Sequence, residues 1–150
     1  MSNEKWDREK ILLTPLTLYM EYLDLKYNDF LKKRFKDKDI YPGDFTYIIN
    51  IFYHENLSQK DLAKLLFVSE ANVAKILKRL DDKGYILRLV DEKNNCRKIL
   101  KLTEKGKMMA GKLIKTSYEW ENKITESFND DEMDKLRELL YGLAYNSTDF

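Results

Sequence analysis

The side chains best suited to bind another molecule are polar and basic residues on one predicted helix. Asn72, Lys75 and Lys78 follow one another at three-residue steps, so they share the outward face of a helix that Ser69 caps. Amide and ammonium groups in this arrangement can donate hydrogen bonds to base edges and phosphates of duplex DNA. Asn72 and Lys75 lie in the first two turns, where base contacts are expected. The N-terminal amides of the same helix can also approach a phosphate.

Further candidate contacts surround this helix. Ala71 and Ala74 are small enough to lie against a thymine methyl group. The two capping residues, Ser58 and Ser69, are included among the expected DNA contacts. The side chains expected to contact phosphates, which fix register without reading sequence, are Gln59, Lys60, Lys78 and Arg79. Arg97 and Lys98 follow the tip of a predicted hairpin, from which a side chain can enter the neighbouring minor groove.

The charge distribution agrees with a polyanionic partner. The formal net charge is only +1. Residues 58–105, however, hold 12 Lys or Arg against 7 Asp or Glu, a balance of +5, between two mildly acidic ends. This basic middle favours one face that binds a polyanion. An ordinary solvated surface whose local charge happens to be positive explains it equally well.

Other chemistries find little support in the residue types. The single histidine, His54, has no Cys, Asp or Glu at ligand spacing, so we expect no bound metal. No nucleotide-binding or nucleophile-elbow motif occurs, so we expect no cofactor and no enzymatic activity. The lone Cys96 predicts a reducing compartment, and it is expected to be an incidental thiol rather than a redox sensor. No apolar run is long enough to span a membrane and no signal peptide is present. A cytoplasmic location is therefore expected.

The elements that would position these residues are mainly helices. Thr14-Pro15 and Tyr41-Pro42 predict the starts of two helices, the second with Phe45, Ile48, Ile49 and Phe52 on its buried face. Ser58 and Ser69 predict two short capped helices, and Gly84 ends the second. Residues 85–102 change to a strand pattern around a polar tip at Asn94-Asn95, which predicts a β-hairpin. Two further helices follow, capped by Thr103 and Asn129, the last with an apolar stripe of Met133, Leu136, Leu139, Leu140 and Leu143.

Two short capped helices followed by a hairpin is the order of a winged helix-turn-helix, and the residues resemble the MarR family of regulators. The resemblance rests on Leu57–Ala63, on Ser69 to Ile86 with its Leu77-Lys78-Arg79-Leu80, and on Leu102-Thr103-Glu104-Lys105-Gly106. It implies a mainly α (α+β) fold in a single domain, residues 1–150. The winged helix-turn-helix core would span about residues 40–103, and helices of about 11–36 and 104–147 would form a dimerisation region from both termini.

The resemblance also implies a function. A homodimer would bind a palindromic operator in double-stranded DNA as a transcription regulator, most simply a repressor. A small phenolic or aromatic ligand would bind between the dimer helices and the winged lobe and release the DNA. The residues that could line such a site are Tyr19, Tyr22, Tyr27, Arg34 and Tyr47, although core packing explains the tyrosines equally well. The rival interpretation is a winged-helix dimer that docks another protein without binding DNA.

Two positions depart from the family pattern. Members usually carry Asp two residues before the wing arginine, and Asn95 stands there in this chain. Arg97 is therefore predicted to lack that ion pair, and either to be held less tightly or to reach differently. Members usually have Gly in the turn before the recognition helix, where this chain has Phe67. The second departure puts the geometry of that turn in question.

Overall fold

The computed structural model describes residues 5–149 except 37, 39, 92 and 93, and for residues 94–96 and 149 it describes the backbone alone. Contacts divide the chain into two compact units, residues 1–116 and residues 117–150. The boundary falls within the long helix Glu104–Ile124.

The order of elements confirms the predicted fold class: helices interrupted by a single two-stranded antiparallel hairpin. The helices are α1 (Arg8–Leu13), α2 (Leu16–Arg34), α3 (Pro42–Tyr53), α4 (Gln59–Leu65), α5 (Glu70–Asp82), α6 (Glu104–Ile124) and α7 (Asp130–Asn146), and a 3-10 turn (Ser147–Asp149) follows. The hairpin pairs β1 (Ile86–Asp91) with β2 (Asn94–Leu102), from Ile86 opposite Leu102 to Val90 opposite Lys98, with an irregularity between Val90 and Asp91.

The caps of α4 and α5 form as predicted. Ser58 Oγ accepts from the Asp61 amide at 3.2 Å, and the Asp61 carboxylate accepts from the Ser58 amide at 2.9 Å, which is a capping box. Ser69 Oγ accepts from the Asn72 amide at 3.2 Å. These bonds satisfy amides that have no partner within a helix, so they fix where each helix begins.

The core of the first unit lies between α3, α4, α5, the hairpin and α6. The spacing of Val73, Ile76, Leu77 and Leu80 predicts the inward face of α5; Ile76 is half-buried and the other three are fully buried. The other fully buried large apolar side chains are Ile48, Leu62, Ile86, Leu100 and Leu113. Because one face of α5 is committed to this core, its opposite face is left for solvent or a partner.

Three details differ from the sequence-based expectations. The predicted helix of about residues 11–36 is two helices: α1 ends at Leu13, where Thr14 Oγ donates to the Lys10 carbonyl, and α2 begins at Leu16, next to the start predicted at Thr14-Pro15. Proline lacks an amide hydrogen and disfavours helix in the residue before it, which explains the break. On α3, Phe52 is 45% exposed, and Tyr47 and Ile51 are buried in its place. On α4, the spacing of Leu62, Ala63, Leu65 and Leu66 predicts an apolar stripe, but Leu65 is 39% exposed.

The start of α6 locks the end of α5. Thr103 Oγ accepts from the Gly106 amide at 3.0 Å and donates to the Gly84 carbonyl at 2.7 Å. A Cβ on Gly106 would overlap the backbone carbonyl of Tyr85, so only glycine allows this approach. This contact gives a physical reason for the Leu-Thr-Glu-Lys-Gly sequence at residues 102–106.

The second unit contains the C-terminal part of α6 and the whole of α7. Asn129 and Glu132 form a capping box at the predicted start of α7. Arg137 Nη2 bonds Glu121 Oε1 at 2.6 Å across the two helices. The predicted apolar stripe of α7 is not buried in the single chain, because Leu139, Leu140 and Leu143 are exposed.

Candidate nucleic-acid interface

The outward face of α5 is polar and available. Asn72, Lys75 and Lys78 are exposed, in contrast to Val73 and Leu77 on the opposite face. Within the described part of the chain, neither lysine has an ion-pair partner. The structure therefore places three of the predicted DNA contacts on one open helix face. Ala71 beside them is exposed and Ala74 is half-buried.

The beginnings of α4 and α5 lie close together. Gln59 Nε2 donates to the Glu70 carbonyl at 3.4 Å, which connects the first residue of α4 to the first residue of α5. Beside this contact runs a cleft of about 500 Å³ between α4 and the hairpin. Its lining residues are Ser58, Gln59, Lys60, Asp61, Glu70, Arg88, Arg97, Lys98 and Leu100. Five predicted DNA contacts thus border one cleft.

Arg97 is held by carboxylates, contrary to the prediction that it would be loosely held. Its Nη2 lies 2.7 Å from Asp61 Oδ2 and 3.0 Å from the Asn56 carbonyl, and its Nη1 lies 3.2 Å from Asp91 Oδ2. The prediction was wrong because it considered only the position of Asn95. Asp61 on α4 and Asp91 on β1 supply the charge from elsewhere. Asn56 adopts a left-handed backbone (φ 60°), which suits asparagine, and contributes the carbonyl.

The electrostatics of this cluster favour the charged forms. Hydrogen bonds from Ser58, then from Arg97, lower the pKa of Asp61 to about 2. Hydrogen bonding to Asp61 raises the pKa of Arg97. The Asp61 carboxylate therefore caps α4 and also holds Arg97 of β2. It joins the helix-turn-helix to the hairpin, which is the wing.

Arg79 was predicted to contact phosphate, and the structure places it elsewhere. Its Nη2 forms an ion pair with Asp44 Oδ1 on α3, and Asp44 is 0% exposed. Asp44 also accepts from the Tyr41 amide at 3.1 Å, and the Arg79 guanidinium lies over the Tyr41 ring at 5.4 Å. Removing a buried carboxylate's partner is costly, so this arginine is committed to joining α3 and α5. The structure therefore assigns Arg79 to the contact between α3 and α5, and its phosphate contact stays a prediction.

The remaining predicted DNA contacts are exposed. Lys60 on α4 and Lys98 on β2 are both open to solvent, and Ser69 is exposed at the start of α5. The side chains at 94–96, which include Cys96 and Asn95, lie outside what the structure describes. The redox question at Cys96 is therefore untouched.

The residues predicted to line a ligand site have other neighbours. Tyr47 is buried in the core, and burial followed by the nearby Asp44 charge raises its pKa. Tyr27 is half-buried and packs against the same core. Tyr19 Oη donates to the Ile11 carbonyl at 2.9 Å, and Lys26 lies 5.3 Å from the ring centre of Tyr22. These contacts agree with packing, the alternative left open by the sequence, and a ligand site that includes Arg34 stays a prediction.

The described residues show neither a metal site nor a membrane-spanning helix. His54 ends α3, with Nδ1 at 3.1 Å from the Asn50 carbonyl. Across the described residues no group of three or more His, Cys, Asp or Glu side chains is arranged to hold a metal ion. None of the helices in the same residues has the length and apolar character needed to cross a bilayer.

The sequence reasoning missed Asp44, Asp61 and Asp91 as partners of the two arginines. A partial signal existed, because Asp44 and Asp61 both occupy the third position of a predicted helix, where a carboxylate caps the amide end. A capping carboxylate has lone pairs left over for a second donor. Which arginine reaches it depends on tertiary contacts 35 and 36 residues away, and local pattern cannot supply these.

Comparison with known protein families gives a consistent result. The MarR family model matches residues 40–97. The HTH-type transcriptional regulator YybA of Bacillus subtilis (strain 168) is 30% identical over 112 residues, which cover 75% of this chain and 75% of the relative. The HTH-type transcriptional regulator BilQ of Clostridioides difficile (strain CD3) is 27% identical over 131 residues, covering 78% of this chain and 88% of the relative.

Solved structures share the fold. The crystal structure of MarR superposes with a TM-score of 0.84 at 23% identity, covering 97% of this chain and 96% of that one. A MarR family regulator from Listeria monocytogenes, crystallised with a 26mer DNA, superposes with a TM-score of 0.81 at 20% identity, covering 91% of each chain. Both cover the chain almost from end to end.

Proposed function

Because this chain belongs to the MarR family of winged helix-turn-helix transcriptional regulators, we propose that it binds a palindromic operator in duplex DNA as a homodimer and represses transcription. The observation that carries the proposal is the open face of α5. It presents Asn72, Lys75 and Lys78 to solvent, with no ion pair on either lysine within the described residues. The neighbour from Listeria monocytogenes, of the same fold, was crystallised with DNA.

The residues divide into two roles. Asn72 and Lys75 sit near the beginning of α5, where a helix inserted in the major groove brings side chains to base edges. Ala71 and Ala74 leave room for that approach. Ser58, Gln59, Lys60, Ser69 and Lys78 would contact phosphates around the groove, and Arg97 with Lys98 would reach the flanking minor groove. Arg97 can do so from a fixed position, because Asp61 and Asp91 orient its guanidinium.

The homodimer is supported by apolar surface that one chain leaves open. The exposed apolar side chains of α1 and α2 include Ile11, Leu12, Leu13, Leu16, Leu18, Met20, Leu23 and Leu25, and those of α7 include Leu139, Leu140 and Leu143. Exposed apolar surface on this scale is typical of a subunit contact. Sedimentation at micromolar concentration should give twice the chain mass of 18.0 kDa. A single species of one chain mass would contradict the dimer.

The DNA-binding role is tested by fluorescence anisotropy with the DNA upstream of the protein's own gene and with random duplex. We expect affinity to fall by about 0.9 log units per log unit of salt for each phosphate neutralised. Asn72→Ala or Lys75→Ala should reduce the preference for the operator by about 1–3 kcal/mol, and Lys78→Ala should weaken both duplexes alike. Equal loss on both duplexes for all three variants would contradict the division of roles. Absence of binding to either duplex would favour a protein-docking role instead.

A further inference from the structure

The turn between α4 and α5 carries an unusual residue. Phe67 has a left-handed backbone conformation, with φ at +53°, and its side chain is 92% exposed. The turn closes α4 by two hydrogen bonds, from the Phe67 amide to the Lys64 carbonyl at 3.2 Å and from the Val68 amide to the Ala63 carbonyl at 3.1 Å. This is the Schellman pattern, in which the left-handed position is most often glycine.

The end of α5 is closed by the same pattern with glycine in that position. Gly84 has φ at +70°, its amide bonds the Asp81 carbonyl at 2.8 Å, and the Tyr85 amide bonds the Leu80 carbonyl at 2.9 Å. The chain thus contains the same turn twice, once with Phe67 and once with Gly84 at the left-handed position. A bulky side chain strains the left-handed conformation, whereas glycine does not.

Phe67 gains almost nothing from packing in return for this strain. A phenylalanine that is 92% exposed buries little apolar surface in the folded chain. Its backbone conformation lowers stability relative to glycine at the same place, and the exposed ring does not offset that cost. Strain of this kind, kept where folding does not require it, indicates that the side chain serves a binding role.

The neighbours of Phe67 are basic and close to the proposed DNA face. Lys60 and Lys64 are four residues apart on α4, so they lie on the same side of the helix, and both are exposed. In the described part of the chain neither has an ion-pair partner. Phe67 itself is two residues before Ser69, the cap of α5, and two residues span at most about 7 Å. The three side chains Lys60, Lys64 and Phe67 form what we call the α4 ridge.

We propose that the α4 ridge binds the sugar-phosphate backbone of DNA beside the groove that α5 enters, with Phe67 packed on a deoxyribose and the two lysines on phosphates. The proposal rests on the proposed function, since it extends the same DNA contact. A strip that carries two ammonium groups followed by an apolar ring matches a backbone of phosphates joined by sugars. Two unpaired cations disfavour an apolar protein surface as the occupant, because they would have to be desolvated there. Contacts to sugar and phosphate carry no base information, so the contribution of the ridge is independent of sequence.

The test compares Phe67→Gly, Phe67→Asn and Phe67→Tyr in the full-length protein, by anisotropy on upstream and random duplexes and by urea unfolding. Glycine and asparagine accept the left-handed backbone but lack the ring, so the urea midpoint should rise while affinity for both duplexes falls about 5- to 10-fold. Phe67→Tyr keeps the ring and should retain the affinity. Higher stability without loss of affinity, or a loss on one duplex only, would overturn the proposal.

The lysines are tested by the salt dependence of binding. Lys64→Met should lower the slope of log affinity against log salt by about 0.9. Lys115→Met, an exposed lysine on α6, removes the same charge outside the ridge and should leave the slope unchanged. If both variants change the slope equally, the ridge is not the contact. Failure of the unmodified protein to bind either duplex would instead reject the proposed function itself, so the two failures are distinguishable.

Discussion

Two arginine-carboxylate pairs hold the helix-turn-helix, one at each end, and they differ in burial. Arg79 on α5 pairs with Asp44 on α3, whose side chain is fully buried. Arg97 on β2 pairs with Asp61 on α4, and both side chains of this pair are 40% exposed. The first pair joins α5 to the body of the first unit, and the second joins the wing to α4.

The difference in burial implies a difference in purpose. A buried carboxylate must keep its partner, because an unpaired buried charge is costly, so the Arg79 guanidinium is held at Asp44. An exposed pair contributes little to stability, but its guanidinium keeps donor groups that can still reach a phosphate. The same residue type thus serves folding at one end and orients a DNA contact at the other.

The largest effect is expected at the buried pair. Arg79→Met removes the partner of Asp44 and should lower the free energy of unfolding by about 3–5 kcal/mol, measured by urea denaturation. Adding Asp44→Leu removes the orphaned charge as well and should restore most of that loss. If Arg79→Met were as stable as the unmodified protein and only weakened DNA binding, Arg79 would belong to the interface after all.

The contrast between the pairs also shows where sequence reasoning stops. Capping residues, the inward face of α5 and the hairpin are encoded within a few residues of each other, and Ser58, Ser69 and Gly84 were each assigned correctly. The partners of Arg79 and Arg97 are encoded by packing of distant elements, and none of the three carboxylates was predicted as a partner. Arg79 was expected at a phosphate without a partner on α3, and Arg97 was expected to be held less tightly or to reach differently.

Exposure explains the other differences. A helical period marks which side chains share a face, but it does not say whether that face meets the same chain or another one. The α7 stripe of Leu139, Leu140 and Leu143 has the period of a buried face and is exposed in the single chain. Phenylalanine itself predicts no left-handed backbone at position 67, and the signal for it was the glycine that the family usually has there.

A smaller effect is expected at the exposed pair. Asp61→Asn weakens both the cap of α4 and the grip on Arg97, so the free energy of unfolding should fall by about 1 kcal/mol and DNA affinity should decrease. Asp91→Asn is the matched control, because Asp91 bonds Arg97 at 3.2 Å without its side chain capping a helix. We expect it to change stability less. If Asp91→Asn lowered stability as much as Asp61→Asn, the cap of α4 would not contribute to the effect of Asp61→Asn.

The smallest effect concerns pH, and its sign follows from the lowered pKa of Asp61. The pKa is about 2 in the folded chain, and near 3.9 for an unfolded aspartate, so the unfolded state binds a proton first as pH falls. The stabilisation is therefore complete above about pH 4 and is lost as pH falls towards 2. Since the side chain is 40% exposed, solvent screens the interaction and limits the change to about 1 kcal/mol or less. The stability difference between the unmodified protein and Asp61→Asn, measured by urea unfolding, should be equal at pH 7 and pH 5 and smaller at pH 3. A difference that already shrinks between pH 7 and pH 5 would mean that another group carries the wing contact.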